Sequence, residues 1–203
     1  MNTRYFVLIL LFTTIILPGF SKSRLGEYYY GFGFGMAEGG KDDNLEGNFI
    51  RLNASGPNDS ASDFSVFVDY GSIDNNGSDH SSWNIGLDYL VHYEDFIGTN
   101  SRIHPFLGLG VSFLDEESPT IMEEDGFTWS FLFGSEVKFT RSLSASLHGR
   151  FFGLWSDFST TDFSTNLGLT WWIDNEHGVL FDYSRSIDAE LNYFTLKYLY
   201  SSK

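Results

Sequence analysis

The chain of 203 residues contains no cysteine. This absence excludes disulfide-stapled domains, cysteine-ligated zinc, iron–sulfur clusters and a thiol nucleophile. Basic residues are scarce as well: 12 Lys and Arg stand against 27 Asp and Glu, which gives a formal net charge of −15. Since binding to nucleic acid needs clustered basic side chains, we expect no nucleic-acid partner.

Long apolar runs are also missing, apart from one at the start of the chain. Residues 5–17 are largely apolar, but the run is shorter than the roughly 20 residues that a transmembrane helix needs. It follows Arg4 and precedes Pro18, Gly19 and the small residues Ser21 and Ser23, which is the order of a secretory signal peptide. We therefore predict a cleaved signal over residues 1–23 and one mature domain over 24–203, with a membrane anchor as the alternative. A secreted chain without cysteine is typical of the bacterial periplasm or outer membrane.

What the chain does contain is aromatic residues, glycine and a two-residue period. Aromatic side chains make up 18% of the sequence, with 21 Phe and 11 Tyr, and there are 21 Gly. Apolar and polar residues alternate in ten segments, and a helical stripe is not sustained anywhere, so the pattern predicts an all-β protein. The segments are 27–37, 47–54, 63–71, 83–94, 103–113, 127–140, 142–156, 162–174, 179–187 and 192–200. The weakest are 47–54 and 179–187, which leaves eight strands as an alternative.

The two faces of these segments indicate which side meets lipid. In 127–140, Phe127, Trp129 and Phe133 alternate with polar residues such as Glu136. Aromatic residues near strand ends match the interfacial girdles of transmembrane barrels, whose lumen is polar. We predict an antiparallel up-and-down transmembrane β-barrel, with a soluble sandwich or a lipocalin-like barrel as the alternative. An even strand number places both termini on the periplasmic side, long loops outside (38–47, 72–82, 114–126, 156–162, 186–192) and turns inside (54–62, 95–101, 140–142, 174–178).

Three segments resemble the small outer-membrane β-barrels that are similar to the transmembrane domain of outer membrane protein A. They are GEYYYGFGFGMAEGG (26–40), RIHPFLGLGVSFLD (102–115) and GSEVKFTRSLSASLHGRFFG (134–153), the last resembling two strands joined by a tight periplasmic turn. The resemblance implies a barrel in the bacterial outer membrane. Such barrels often end on an aromatic residue, whereas here Ser201, Ser202 and Lys203 follow Tyr200.

A narrow barrel has a lumen filled by side chains. Glu136 and Lys138 share one face of a predicted strand, and His148 and Arg150 share the same face of the next. Across the tight turn near Arg141, we expect these four side chains to lie close together. They predict a salt-bridge network that closes the lumen, with a gated ion path or a proton relay as the alternative.

Acidic residues concentrate in two predicted outer loops. This acidic loop surface comprises Asp42, Asp43, Glu46, Glu116, Glu117, Glu123 and Glu124. It could bridge to lipopolysaccharide phosphates through divalent cations, or bind a basic ligand or host partner. The alternative is a solvated, repulsive surface. The loops lack the twelve-residue calcium pattern, so we expect neither a dedicated metal site nor a cofactor.

Catalysis is not expected. His80, Ser82 and Glu94 have a spacing like that of lipid A deacylase barrels, but Ser82 begins a predicted strand that Glu94 ends. At about 3.3 Å per residue the two would lie near opposite membrane faces, too far apart for a triad. The sequence therefore predicts a monomeric outer-membrane barrel with a structural, adhesive or binding role at the cell surface. A narrow channel for ions or small solutes is second, and a lipid-modifying surface enzyme using Asp79 and His80 is third.

Overall fold

The computed structural model describes residues 23–39, 45–75, 78–93, 102–116 and 125–202. They form ten antiparallel strands that close into one barrel, in which each strand pairs with its neighbours in sequence and β1 pairs with β10. The strands are β1 (Tyr29–Gly39), β2 (Leu45–Asp59), β3 (Ser62–Asn75), β4 (Ser78–His92), β5 (Ile103–Glu116), β6 (Gly126–Lys138), β7 (Leu143–Leu154), β8 (Asp162–Trp172), β9 (His177–Ser186) and β10 (Leu191–Ser201). The predicted all-β class and the count of ten are confirmed.

The two-residue period of the sequence becomes the inside and outside of the barrel. On β1, Tyr30, Phe32, Phe34 and Met36 are 53–57% exposed, whereas the glycines between them are buried in the lumen. A soluble barrel would bury the aromatic side chains instead. The exposed apolar face therefore identifies the exterior as a lipid-facing surface.

Aromatic pairs mark both ends of this exterior. At the end that holds the β3–β4 connection, the rings of Tyr70 and Trp83 are 4.4 Å apart. At the opposite end, the rings of Phe64 and Tyr89 are 4.9 Å apart. Amphipathic rings at both ends of an apolar band form the interfacial girdles of a transmembrane barrel. The chain termini lie at the second end, which is the periplasmic one in the predicted orientation.

Several predicted loops are in fact strand. Most of 72–82 belongs to β3 and β4, and most of 54–62 belongs to β2 and β3, so Ser60 and Ala61 alone form the β2–β3 turn. These predictions were wrong because the strands extend beyond the apolar band, where polar residues on both faces remove the alternation. A 3₁₀ turn at Phe158–Thr160 interrupts the β7–β8 connection. Within the described ranges, no helix has the length and hydropathy needed to cross a bilayer.

Glycine on the inner face makes room for large side chains in the lumen. A Cβ atom added to Gly86 would lie 2.5 Å from Cζ of Phe67 and 2.6 Å from Cβ of Ser112. Since real Cβ contacts are much longer, the Phe67 ring can occupy this space only opposite a glycine. Phe106 and Trp172 are buried as well.

Candidate functional site

The lumen contains two cavities stacked along the barrel axis. The outer cavity has a volume of about 240 Å³ and is lined by residues such as Asn48, Ser184 and Tyr193. The inner cavity, of about 200 Å³, lies towards the chain termini and is lined by residues such as Asn53, Ser65 and Ser146. Nine residues line both cavities and therefore separate them: Arg51, Phe67, Asp69, Asn84, Asp88, His148, Arg150, Asn166 and Asp182.

Ion pairs dominate this boundary. We define the charged layer as the boundary residues Arg51, Asp69, Asp88, Arg150 and Asp182, together with Lys197, which lines the inner cavity and pairs with Asp182. Arg51 on β2 binds Asp69 on β3 through two hydrogen bonds of 2.5 Å. Arg150 on β7 reaches across the lumen to Asp88 on β4, also at 2.5 Å. Lys197 on β10 donates to Asp182 on β9 at 2.9 Å. Each cation thus has one carboxylate, and the layer carries no net charge.

Two guanidinium groups of the charged layer make cation–π contacts with aromatic rings. The Arg51 guanidinium lies 5.6 Å from the ring centre of Phe49, and that of Arg150 lies 5.8 Å from the ring centre of Phe67. Cation–π contact at this distance is attractive, more so away from bulk water. Removing one partner of an ion pair in the charged layer would leave the other charge poorly solvated and unpaired. The two members of each ion pair therefore hold each other in position.

The four residues predicted to form one network are placed differently from our expectation. The register aligns Glu136 with Ser146, and Lys138 with Ser144, whereas His148 lies opposite Gly134 and Arg150 opposite Leu132. A hairpin that turns near Arg141 pairs residues whose numbers sum to 282, so His148 and Arg150 lie further from the turn than Glu136 and Lys138. The expectation of one compact cluster was therefore wrong in its register.

Each of the four has its own surroundings. Glu136, only 1% exposed, accepts hydrogen bonds from Ser23 and from Ser144, the latter at 2.6 Å. Arg150 belongs to the charged layer, and the His148 ring lies 5.9 Å from that of Phe106. Lys138 is half-buried near the β6–β7 turn. Two of the four thus take part in polar contacts at different depths of the lumen.

The inner cavity ends at a periplasmic mouth that holds the residues before β1. Arg24 donates to Ser146 Oγ at 2.7 Å, and its backbone nitrogen lies 3.5 Å from Glu136 Oε1. The Gly26 backbone nitrogen donates to both carboxylate oxygens of Asp63, at 3.1 and 3.0 Å. On the strand side, His92 Nε2 lies 3.5 Å from Asp63 Oδ2. Two buried carboxylates therefore receive hydrogen bonds from a segment outside the strands.

The outer rim carries a row of acidic residues across three strands. Glu38 on β1 pairs in register with Glu46 on β2, which pairs with Asp74 on β3. Glu46 belongs to the predicted acidic loop surface and is exposed at the end of β2. Like charges directly opposite each other on a ladder repel, so the exposed pair Glu38–Glu46 favours cations or basic groups from outside.

The other members of the acidic loop surface cannot be placed in the same way. Glu116 is described only by its backbone at the end of β5. Asp42, Asp43, Glu117, Glu123 and Glu124 lie outside the described residues. In the part of the chain that the structure describes, no group of three His, Asp or Glu side chains is arranged to hold a metal ion.

The described residues do not show the geometry of the candidate catalytic site. Ser82 lies on β4 and lines the outer cavity. The Asp79 and His80 side chains and the whole of Glu94 lie outside the described part.

Sequence reasoning placed the members of the charged layer on the inner face but did not predict their pairings. Arg51, Asp69, Asp88, Asp182 and Lys197 all occupy polar positions of the alternating pattern. The adjacent-strand pair Arg51–Asp69 was missed because a loop was predicted over 54–62, and because a register shift between Pro57 and Asp59 moves the ladder by one residue. The Arg150–Asp88 pair could not be predicted, because β4 and β7 meet only across the lumen.

Comparison with known proteins finds solved structures at a low level of similarity. No protein-family model and no curated protein matches the chain. Among solved structures, the translocator domain of the autotransporter NalP from Neisseria meningitidis matches with a TM-score of 0.49 and 8% identity, over 99% of this chain and 95% of that one. The KdgM porin in complex with disordered oligogalacturonate gives 0.46 and 10%, over 86% and 99%. Neisserial surface protein A gives 0.45 and 12%, over 86% and 97%.

Similarity at this level carries no argument about function. The location follows instead from the physical chemistry of the exterior. A closed barrel satisfies its backbone hydrogen bonds within the membrane, and one with an apolar outside, aromatic girdles and a polar lumen has the character of an outer-membrane protein.

Proposed function

We propose that this barrel acts at the cell surface, as a structural, adhesive or binding protein, through its acidic outer rim and loops. The observation that carries the proposal is the register pair Glu38–Glu46, in which both side chains are exposed. Two carboxylates directly opposite each other repel, and a cation or a basic group from outside would reduce that repulsion. At the outer leaflet, divalent cations that bridge to lipopolysaccharide phosphates supply such a charge, and so does a basic ligand or host partner.

The test uses purified barrel and lipopolysaccharide micelles over a Mg²⁺ titration. We expect Mg²⁺-dependent binding by the natural chain and at least a several-fold loss in the combined variant Glu38→Gln/Glu46→Gln. Asp157→Asn is the matched control, because Asp157 is an exposed acid in another outer loop. Equal, Mg²⁺-independent binding by all three proteins would contradict the role of the rim.

The lumen supports a closed barrel in the resting state. The charged layer lies between the two cavities, and its cations and carboxylates are already paired with one another. We expect the natural barrel to be silent in a planar lipid bilayer, and Arg150→Ala and Glu136→Ala to raise its conductance. Arg102→Ala, at an exposed position before β5, is the control and should remain silent.

A narrow channel for ions or small solutes is the second candidate function. It is favoured by the two cavities, which would form a continuous path if the Arg150–Asp88 pair separated. A steady current through the natural barrel that neither lumen substitution changes would favour the channel over the closed lumen.

Several narrower statements belong to the same proposal. We propose a signal over 1–23, a mature domain over 24–203, a monomeric state, no enzymatic activity and no cofactor. The narrower resemblance to the transmembrane domain of outer membrane protein A rests on segments such as 134–153, which do form two strands joined by a tight turn. Unchanged lipid A mass profiles after Asp79→Ala and His80→Ala together would support the absence of lipid-modifying activity.

A further inference from the structure

Residues 23–26, which we call the N-terminal segment, lie within the barrel although they belong to no strand. Ser23 is buried, and Arg24 and Leu25 line the inner cavity. Gly26 has a φ of 78°, a left-handed conformation that glycine adopts readily. The chain therefore turns sharply at Gly26, from the mouth of the lumen into β1.

The contacts of this segment are complementary in charge to the mouth. Asp63 and Glu136, each 1% exposed, are the carboxylates that accept its hydrogen bonds. The segment itself supplies Arg24 and backbone N–H groups. Removing the hydrogen-bond donors of a buried carboxylate destabilises the folded protein. The segment and the mouth therefore stabilise each other.

Removal of the signal would change this contact: Ser23 leaves together with its hydrogen bond to Glu136, and Arg24 gains a charged amine. Hydrolysis of the peptide bond between residues 23 and 24 adds one water: Ser23 leaves as a carboxylate, and Arg24 keeps its nitrogen as an α-ammonium group. That nitrogen lies 3.5 Å from Glu136 Oε1. A neutral donor at the edge of hydrogen-bond distance thus becomes a cation beside a buried carboxylate, and charge-assisted hydrogen bonds are about twice as strong as neutral ones.

We propose that the periplasmic mouth is a docking site for the mature N-terminus of this same chain. The α-ammonium of Arg24 pairs with Glu136, Gly26 is held by Asp63, and residues 24–26 close the inner cavity towards the periplasm. This inference rests on the proposed periplasmic position of the termini and on the proposed signal boundary, and it adds a second closure below the charged layer.

The absence of native cysteine allows a direct accessibility test. Ser65→Cys places one thiol in the inner cavity, and Ser184→Cys places one in the outer cavity. A charged methanethiosulfonate is added to the folded barrel, and the rate of thiol modification is measured. We expect deletion of residues 24–26 to speed modification at position 65 at least tenfold, and Glu136→Gln to speed it by a smaller factor. The rate at position 184 should not change.

Lys138→Gln is the matched control, since Lys138 lies on the same strand and face as Glu136, two register pairs nearer the turn. An unboiled gel sample shows in each case that the barrel has folded. If the deletion variant does not fold, the modification rate at position 65 in Glu136→Gln alone tests the closure. Equal rates at position 65 in the natural barrel and in folded Glu136→Gln would overturn the closure.

A second readout addresses the α-ammonium itself. Mass spectrometry of the natural protein should give Arg24 as the first residue, with the α-amine protected from acylation in the folded barrel and labelled in Glu136→Gln. A different first residue, or an α-amine labelled equally in both, would overturn the pairing. Neither result bears on the surface role, which the lipopolysaccharide experiment tests separately.

Discussion

At the scale of single residues, the lumen is organised by one-to-one pairing of charge. The side chains of Arg150 and Asp88 are 27% and 15% exposed, so water solvates both poorly. The pair spans from β7 to β4 and so joins two parts of the barrel wall that are not adjacent in the sheet. Its strength therefore comes less from attraction between the charges than from the penalty of leaving either one alone.

Arg150→Ala should accordingly destabilise the barrel more than the double substitution Arg150→Ala/Asp88→Ala. We expect a loss of about 2 kcal/mol for the single change, below the range for fully buried pairs because both groups retain some solvent. Urea unfolding in lipid vesicles measures the free energy of unfolding of each member of the double-mutant cycle. Additive losses would mean that the two charges do not interact.

At the scale of elements, the sequence predicted the strands well where they cross the apolar band. Beyond that band it failed, as over 72–82, because polar residues on both faces leave no period to detect. The pairing of Glu136 with Ser146 depends on where the β6–β7 turn is centred, and an error of one pair in a ladder moves every partner. The N-terminal segment gave no signal at all, since its contacts with the barrel join residues 37 to 122 positions apart.

The β7–β8 loop is a local element whose order we expect to depend on pH. Asp157 accepts a hydrogen bond of 2.8 Å from the Ser159 backbone nitrogen, and hydrogen bonds from Ser159 lower the Asp157 pKa below 3.8. Because the pKa is lowered in the folded loop, the stabilisation is complete above the ordinary carboxyl pKa and is lost as pH falls through the lowered value. Phe158, next to this cap, packs between Trp129 and Trp155.

We therefore expect tryptophan fluorescence to change below about pH 4 while the barrel stays folded. In Asp157→Asn this change should be absent, because asparagine also caps the turn but does not titrate. An identical acid transition in both proteins would place its origin outside the loop.

At the scale of the whole molecule, the exterior should behave as a lipid-facing surface with a defined depth. Leu109, 63% exposed, lies in the middle of β5, whereas Phe127, 67% exposed, lies at the outer end of β6. Equal exposure to water would make arginine equally acceptable at both positions. A bilayer distinguishes them, because the cost of a charge depends on its depth.

Leu109→Arg should lower the free energy of unfolding by about 2–4 kcal/mol, as for the bilayer midplane of other barrels. Phe127→Arg should lower it by about 0–1 kcal/mol, as for the interface. The measurement is unfolding of each variant in lipid vesicles. Similar costs at the two positions, with the protein recovered in soluble form, would mean that the aromatic face does not meet lipid.

The seam between β1 and β10 sets the timing of assembly. Eleven register pairs, from Tyr29 with Ser201 to Gly39 with Leu191, join the first strand to the last. Until Leu191 and its successors have been synthesised, β1 has one edge without a partner, and unpaired edges invite association with other chains. Nearly the whole chain must therefore exist before the cylinder can close, which makes closure a late event of high contact order. Before closure, β1 and β10 would each present an unpaired edge, so we expect the unassembled chain to need protection from association with other chains.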